Sequence, residues 1–181
     1  MALSATVFKA EVNIADMDRH YYHTHHLVLA RHPSETDERM LIRLLTFALN
    51  ANESLQFTKG ISTDDEPDLW QKSLSGEIEL WIDLGQPDEK RIRKACGRAQ
   101  QVIIYCYGGR TAEIWWEQNA KHLKRFSNLR IINLSKEATE ALANMSQRTM
   151  QLNISLQDGE VSISDNEQNI DLVPEQWFPA Q

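Results

Sequence analysis

The residues of this 181-residue chain best suited to chemistry are three acids, Glu38, Asp68 and Asp83. Phosphodiester hydrolysis assisted by Mg²⁺ or Mn²⁺ needs hard oxygen ligands converging on the ion. It also needs a cation close enough to offset the charge that develops on the scissile phosphate. Paired strands hold carboxylates rigidly, and two of the acids fall on strand-like segments. Asp68 follows Pro67 and opens the short run Asp68 to Lys72. Asp83 lies near the end of Glu77 to Leu84 and shares a strand face with Glu79 and Trp81, since residues two apart point the same way. Its neighbours Ile82 and Leu84 are strongly apolar. The third acid comes from a helix. At about 100° per residue, Asp37 and Glu38 both lie within about 60° of the centre of the apolar face set by Leu41 and Leu45. Helix capping and the helix dipole account for Asp37, which leaves Glu38 as a further ligand or a water-orienting base.

The elements that must position these acids are readable from periodicity. Residues 6 to 14 and Tyr21 to Ala30 alternate apolar and polar around a turn at Asp16-Met17-Asp18, the pattern of a β-hairpin. Ser34 is the expected N-cap of a helix whose apolar face is Met40, Leu41, Leu44, Leu45 and Ala48. Three strands follow, Leu55 to Ile61, Asp68 to Lys72 and Glu77 to Leu84. Pro87 suits the first position of the next helix, with Asp88 and Glu89 in its first turn and Ile92, Ala95, Cys96 and Ala99 as its buried stripe. Val102 to Tyr107 reads as a central strand covered on both faces. A helix from Thr111 to Phe126, packing through Ile114, Trp115 and Leu123, a strand from Leu129 to Leu134 and a helix from Lys136 to about Met145 come next. A hairpin from Met150 to Ile163 turns at Asp158-Gly159, the dipeptide favoured for tight two-residue turns.

Composition narrows the class. A 41% apolar and 25% charged chain is ordinary for a globular protein, and no linker or repeat interrupts it, so one domain over 1–181 is expected. No apolar run approaches the roughly 20 residues of a membrane helix. With no signal-like segment at the start, the expected location is the cytoplasm. The net charge of −7 argues against broad attraction to nucleic acid, though the run Lys90-Arg91-Ile92-Arg93-Lys94 offers a local basic patch. Cys96 and Cys106 read as buried free thiols.

The order helix, three strands, helix, strand over residues 34 to 107 resembles the PD-(D/E)XK nuclease superfamily. That core carries a helix glutamate, an aspartate on its second strand and an acidic-x-lysine on its third. Glu38, Pro67-Asp68 and Asp83-Leu84-Gly85 take those places here, with Gly85 where the superfamily has lysine. Some members supply the lysine from elsewhere. Lys90 and Lys94 lie opposite the buried stripe of their helix, so Arg91 and Lys59 are the substitutes. Nearly the whole chain is similar to the YaeQ family of bacterial proteins, through Ala30-Arg31-His32-Pro33-Ser34-Glu35-Thr36 with Glu38-Arg39-Met40, Asp64-Asp65-Glu66-Pro67-Asp68, Leu80-Trp81-Ile82-Asp83-Leu84-Gly85 with Pro87-Asp88-Glu89, and Ile114-Trp115-Trp116. The resemblance implies an α/β (α+β) fold, a single domain with a mixed sheet in which an αβββαβ core (about 34–107) is flanked by N-terminal and C-terminal β-hairpins. It leaves the activity open.

Two functions from different classes follow. In the first, Asp68 and Asp83, with Glu38, hold Mg²⁺ or Mn²⁺ and hydrolyse nucleic-acid phosphodiesters. In the second, a non-catalytic protein keeps the fold and binds nucleic acid or a protein partner through Arg31, Arg39, Arg91 or the Trp115-Trp116 pair. Lesser candidates are the histidines at 20, 23, 25 and 26, which read as a chance cluster on an exposed strand. His32 beside Arg31 is a potential phosphate contact, and Gly108-Gly109-Arg110 is a turn into a helix.

Overall fold

The strict alternation of the first segment is realised as β1 (Thr6–Asp16), whose even-numbered residues from Phe8 to Ile14 are buried while their neighbours face outward. It pairs antiparallel with β2 (Tyr21–Arg31) along its whole length, from Thr6 opposite Arg31 to Asp16 opposite Tyr21. The computed structural model describes residues 4–59 and 65–180. Within them the further elements are α1 (Asp37–Asn50), β3 (Leu55–Phe57), β4 (Leu69–Lys72), β5 (Ile78–Leu84), α2 (Glu89–Arg98), β6 (Ala99–Cys106), α3 (Arg110–Leu123), β7 (Leu129–Asn133), α4 (Lys136–Ala143), β8 (Thr149–Gln157), β9 (Glu160–Ser164), β10 (Asn169–Leu172) and β11 (Glu175–Phe178). The fold is α+β, and the order αβββαβ expected for residues 34 to 107 is present as α1, β3, β4, β5, α2, β6. The expected end of the first of those strands, Ile61, lies outside the described residues.

The strands form two mixed sheets, the flanking hairpins building a second one in addition to the mixed sheet expected of the core. The first has the order β10-β9-β8-β1-β2 and the second β11-β7-β6-β5-β4-β3. The reason lies in a pairing that periodicity does not encode: the N-terminal and C-terminal hairpins join each other, β1 running parallel to β8 with Lys9 opposite Thr149. The described chain accordingly groups into two compact units, residues 1–49 with 137–174, and residues 50–136 with 175–181.

In the first unit, α1 is buried along Met40 to Ala48. Its cap differs from expectation. Thr36, not Ser34, receives the Arg39 N–H (3.1 Å), while the Ser34 hydroxyl bonds His32 Nδ1 (2.7 Å). The shift has a cause in Glu35, a buried carboxylate drawn onto Arg43, with Nη2 to Oε1 at 2.7 Å and Nε to Oε2 at 2.9 Å. The helix starts only after that contact is made.

In the second unit, β5, β6 and β7 are parallel and β6 is central. α2 and α3 make the two crossovers, and the core gathers Trp81, Ile92, Val102, Ile104, Trp115 and Ile131. Asp88, rather than a residue before Pro87, is the N-cap of α2, its carboxylate accepting the Arg91 N–H at 2.8 Å. Ile114, expected to pack, is 39% exposed, so α3 buries through Ala112, Trp115 and Leu123. The chain ends by returning to this sheet as β11, an edge strand on β7 that the sequence reading does not contain.

Candidate functional site

β4 and β5 pair antiparallel with Leu69 opposite Ile82, which brings Asp68, one residue before β4, alongside Asp83. The Asp68 N–H donates to the Ile82 carbonyl and Asp68 Oδ2 accepts from the Leu84 N–H, each at 3.0 Å. Both acids are buried, at 5% and 2% exposure. Two of the three expected acids therefore come together, one at the mouth of β4 and one on β5, fifteen residues apart in sequence.

The third does not belong to this unit. Glu38 lies in the first turn of α1, in the unit of residues 1–49 and 137–174. There its Oε2 accepts a hydrogen bond from Thr139 Oγ1 at 3.1 Å.

A buried carboxylate needs compensation, and Asp83 receives it from Arg91. Arg91 Nε donates to Asp83 Oδ2 at 2.8 Å and Nη2 to Oδ1 at 3.0 Å, the bidentate fork that suits guanidinium to carboxylate. Nη2 also donates to the Glu66 carbonyl at 2.9 Å. Trp81 Nε1 donates to Asp83 Oδ2 at 3.0 Å, so Asp83 is held from two directions. The local chain explains the reach. Gly85, at φ +90°, turns the backbone after β5, Asp88 caps α2, and the third helical residue is Arg91, above the end of the strand it left. Trp81 is the partner that sequence reasoning placed on the correct face without assigning it a role. The guanidinium of Arg98 sits 5.2 Å from the centroid of the same indole.

The remaining expected residues are divided between the two units. Arg31 is ion-paired with Asp37 and lies over the Phe8 ring. Arg39 pairs with the buried Glu35 at 2.8 Å. Both belong to the first unit. Lys59 is exposed in the loop after β3. Trp115 donates to the Pro87 carbonyl at 2.9 Å. Trp116, the ring expected to be partly exposed, stacks on Trp177 of β11 at 6.3 Å between centroids. His25 accepts or donates a hydrogen bond with the Tyr21 hydroxyl at 2.7 Å and meets Phe47 edge-on. Burial, and then His23, hold its pKa below the usual histidine value.

Among the described residues no group of three or more His, Cys, Asp or Glu side chains is gathered for a metal ion. The pair Asp68 and Asp83 nevertheless fits a hard cation chemically. Mg²⁺ commonly takes one or two carboxylates, keeps several waters and completes its shell with substrate phosphate. The guanidinium on Asp83 marks that carboxylate as one already paired with positive charge.

The architecture is that of a mixed α+β protein carrying a buried aspartate pair at the meeting of an antiparallel and a parallel strand pairing. By sequence the chain belongs to the YaeQ family: the family model described as YaeQ protein matches residues 1–174. It is 45% identical over 177 residues to the proteins called "Uncharacterized protein YaeQ" from Escherichia coli (strain K12) and from Salmonella typhi, covering 98% of this chain and of each relative. The crystal structure of YaeQ protein from Xanthomonas axonopodis pv. citri superposes with a TM-score of 0.94 at 50% identity, over 96% of this chain and 98% of that one. That from Pseudomonas syringae gives 0.93 at 32% identity, over 97% of each. No helix among the described residues is long and apolar enough to cross a membrane.

Proposed function

We propose that this protein acts on nucleic-acid phosphodiesters at the Asp68–Asp83 pair, as a metal-dependent nuclease-like protein on a PD-(D/E)XK-like core. The observation that supports this most directly is the placement of Asp68, just before β4, alongside Asp83 on β5, within the order α1, β3, β4, β5, α2, β6. In this reading the two carboxylates hold Mg²⁺ or Mn²⁺, which when bound supplies an acidified water and offsets charge on the phosphate. Trp81 fixes the orientation of Asp83 through its indole N–H. Arg91 supplies the cation that Gly85 does not, from the first turn of α2 instead of from β5.

A second reading has one observation in its favour. Both oxygens of Asp83 are taken by Arg91, which suits a non-catalytic protein that binds nucleic acid or a protein partner and keeps the aspartate as a structural anchor. One experiment separates the two. Mixed single- and double-stranded DNA and RNA are incubated with Mn²⁺ and either wild type or Asp83→Ala, purified identically. Hydrolysis by the wild type that falls at least a hundredfold in the variant supports the nuclease-like reading. Equal traces of cleavage in both samples, or none, would sink it and leave the binding protein.

A further inference from the structure

Beside Trp81 the second unit has an open pocket of about 340 Å³, lined by Trp81, Asp88, Lys90, Arg91 and Lys94. Of the five described residues that line it, three are cations, in a protein whose net charge is −7. The cations are not equivalent. Lys94 is paired with Asp65 at 2.7 Å and is half exposed. Lys90 is exposed and makes no hydrogen bond or ion pair with any described residue. Arg91 borders the pocket while its fork is on Asp83, with its side chain 27% exposed.

We propose that this pocket binds a phosphate group through Lys90 and Arg91, and that Arg91 reaches it by leaving Asp83. The second half rests on the carboxylate-pair reading above. A guanidinium fork matches phosphate oxygens as well as it matches a carboxylate, and an oxyanion in the pocket would meet the same side chain that now holds Asp83. What prevents the exchange in the free protein is charge: Asp83 is 2% exposed, and removing its counter-ion would leave a buried charge unpaired. A divalent cation on Asp68 and Asp83 lifts that obstacle, because it replaces the guanidinium as the compensating charge. Arg91, released, then needs an anion of its own. Asp83 is thus neutralised by one cation at a time, and metal and phosphate are linked through the position of a single side chain. Linkage is reciprocal, so each ligand tightens the other by the same factor.

The test uses the full chain and two probes, inorganic phosphate and the dinucleotide dTpdT, titrated calorimetrically without metal, with dTpdT repeated at saturating Mn²⁺, followed by Mn²⁺ titrations read by electron paramagnetic resonance with and without dTpdT. Lys90→Gln should weaken metal-free anion binding at least fivefold, and Arg91→Gln should weaken dTpdT binding at least tenfold once Mn²⁺ is bound and less without it. Mn²⁺ should bind wild type at least fivefold more tightly when dTpdT is present, and Arg91→Gln should bind Mn²⁺ equally well with and without it. Arg91→Lys, which keeps the charge and loses the fork, covers the case in which the glutamine variant does not fold. Lys90→Gln tests the pocket with the Asp83 contact intact. Tighter binding of dTpdT than of inorganic phosphate supports a nucleic-acid backbone as the natural occupant; the reverse order keeps the pocket and overturns that source. Anion affinity unchanged in Lys90→Gln and in both Arg91 variants overturns the site. Metal-free anion binding that falls in Lys90→Gln while Mn²⁺ binds nowhere overturns the exchange and the metal-dependent reading together, and leaves the phosphate pocket standing.

Discussion

Arginine recurs at buried carboxylates of this protein, and two of the pairs, Glu35 with Arg43 and Asp83 with Arg91, differ in how completely water is excluded. Glu35 and Arg43 are 3% and 4% exposed at their side chains, and Arg43 Nη2 also donates to the Ala30 carbonyl. At the other site Asp83 is as buried but Arg91 is 27% exposed, so solvent screens part of the charge left behind when its partner is removed. Urea denaturation should therefore rank the variants: Glu35→Gln is expected to cost about 3–5 kcal/mol and Asp83→Asn about 2 kcal/mol. Equal losses would mean that burial of the arginine is not what sets the cost. Gly85 adds a second residue-scale expectation. Its φ of +90° lies where L side chains are strained, so Gly85→Lys should lose about 1 kcal/mol or more and should not restore a lysine to the site. The sequence places Asp83 on a strand with a clear apolar pattern and Asp68 at the start of a weaker one, and the antiparallel pairing of β4 with β5 sets the two side by side. The clamp on Asp83 was not legible, because Arg91 reaches it across a turn, a relation that neither a period of two nor one of 3.6 describes.

At the scale of elements, the helices and strands were largely legible, and the differences have local causes. The strand alternation, the αβββαβ order and the Asp158-Gly159 turn all appear. Both turn residues have positive φ, +52° and +78°, as a two-residue hairpin turn of the twisted hand requires, and Asp18 accepts from both of their N–H groups at 2.7 and 2.9 Å. Gly159→Ala should lower stability by about 1 kcal/mol in thermal unfolding, with no change expected if the turn is not the one described. β11 was not legible because a four-residue edge strand carries too little pattern to be separated from a polar tail. On β2, His25 gives a pH dependence whose sign is fixed by its environment. Burial and then His23 lower its pKa from an unfolded value of about 6.5. The unfolded chain therefore binds the proton more readily, and stability falls as the pH drops below about 6.5. A stability–pH profile between 7 and 5 should be flatter in His25→Gln than in wild type.

At the scale of the molecule, the acidic surplus sets how nucleic acid can be held. With a net charge of −7 and one cationic pocket identified in the second unit, the contact should involve few phosphates. The slope of log affinity against log salt is expected to be only about −1 to −3, compared with about −10 for a protein that grips many. A steep slope would place the binding surface elsewhere. The division into two compact units was outside the reach of sequence reading, since each unit is assembled from two separated stretches of chain.

That interleaving has a consequence in time. Asn13 and Asn153 are paired in register across β1 and β8 although 140 residues separate them. On a ribosome adding about 5–20 residues each second, β1 emerges roughly ten seconds before the strand that completes its sheet. Throughout that interval the nascent hairpin carries Phe8, Val12 and Ile14 on a face with nothing yet synthesised to seal one of its edges. Yield in the cell will depend on how that wait is survived, and slowing translation should cost this protein more than one whose neighbouring strands are made in succession.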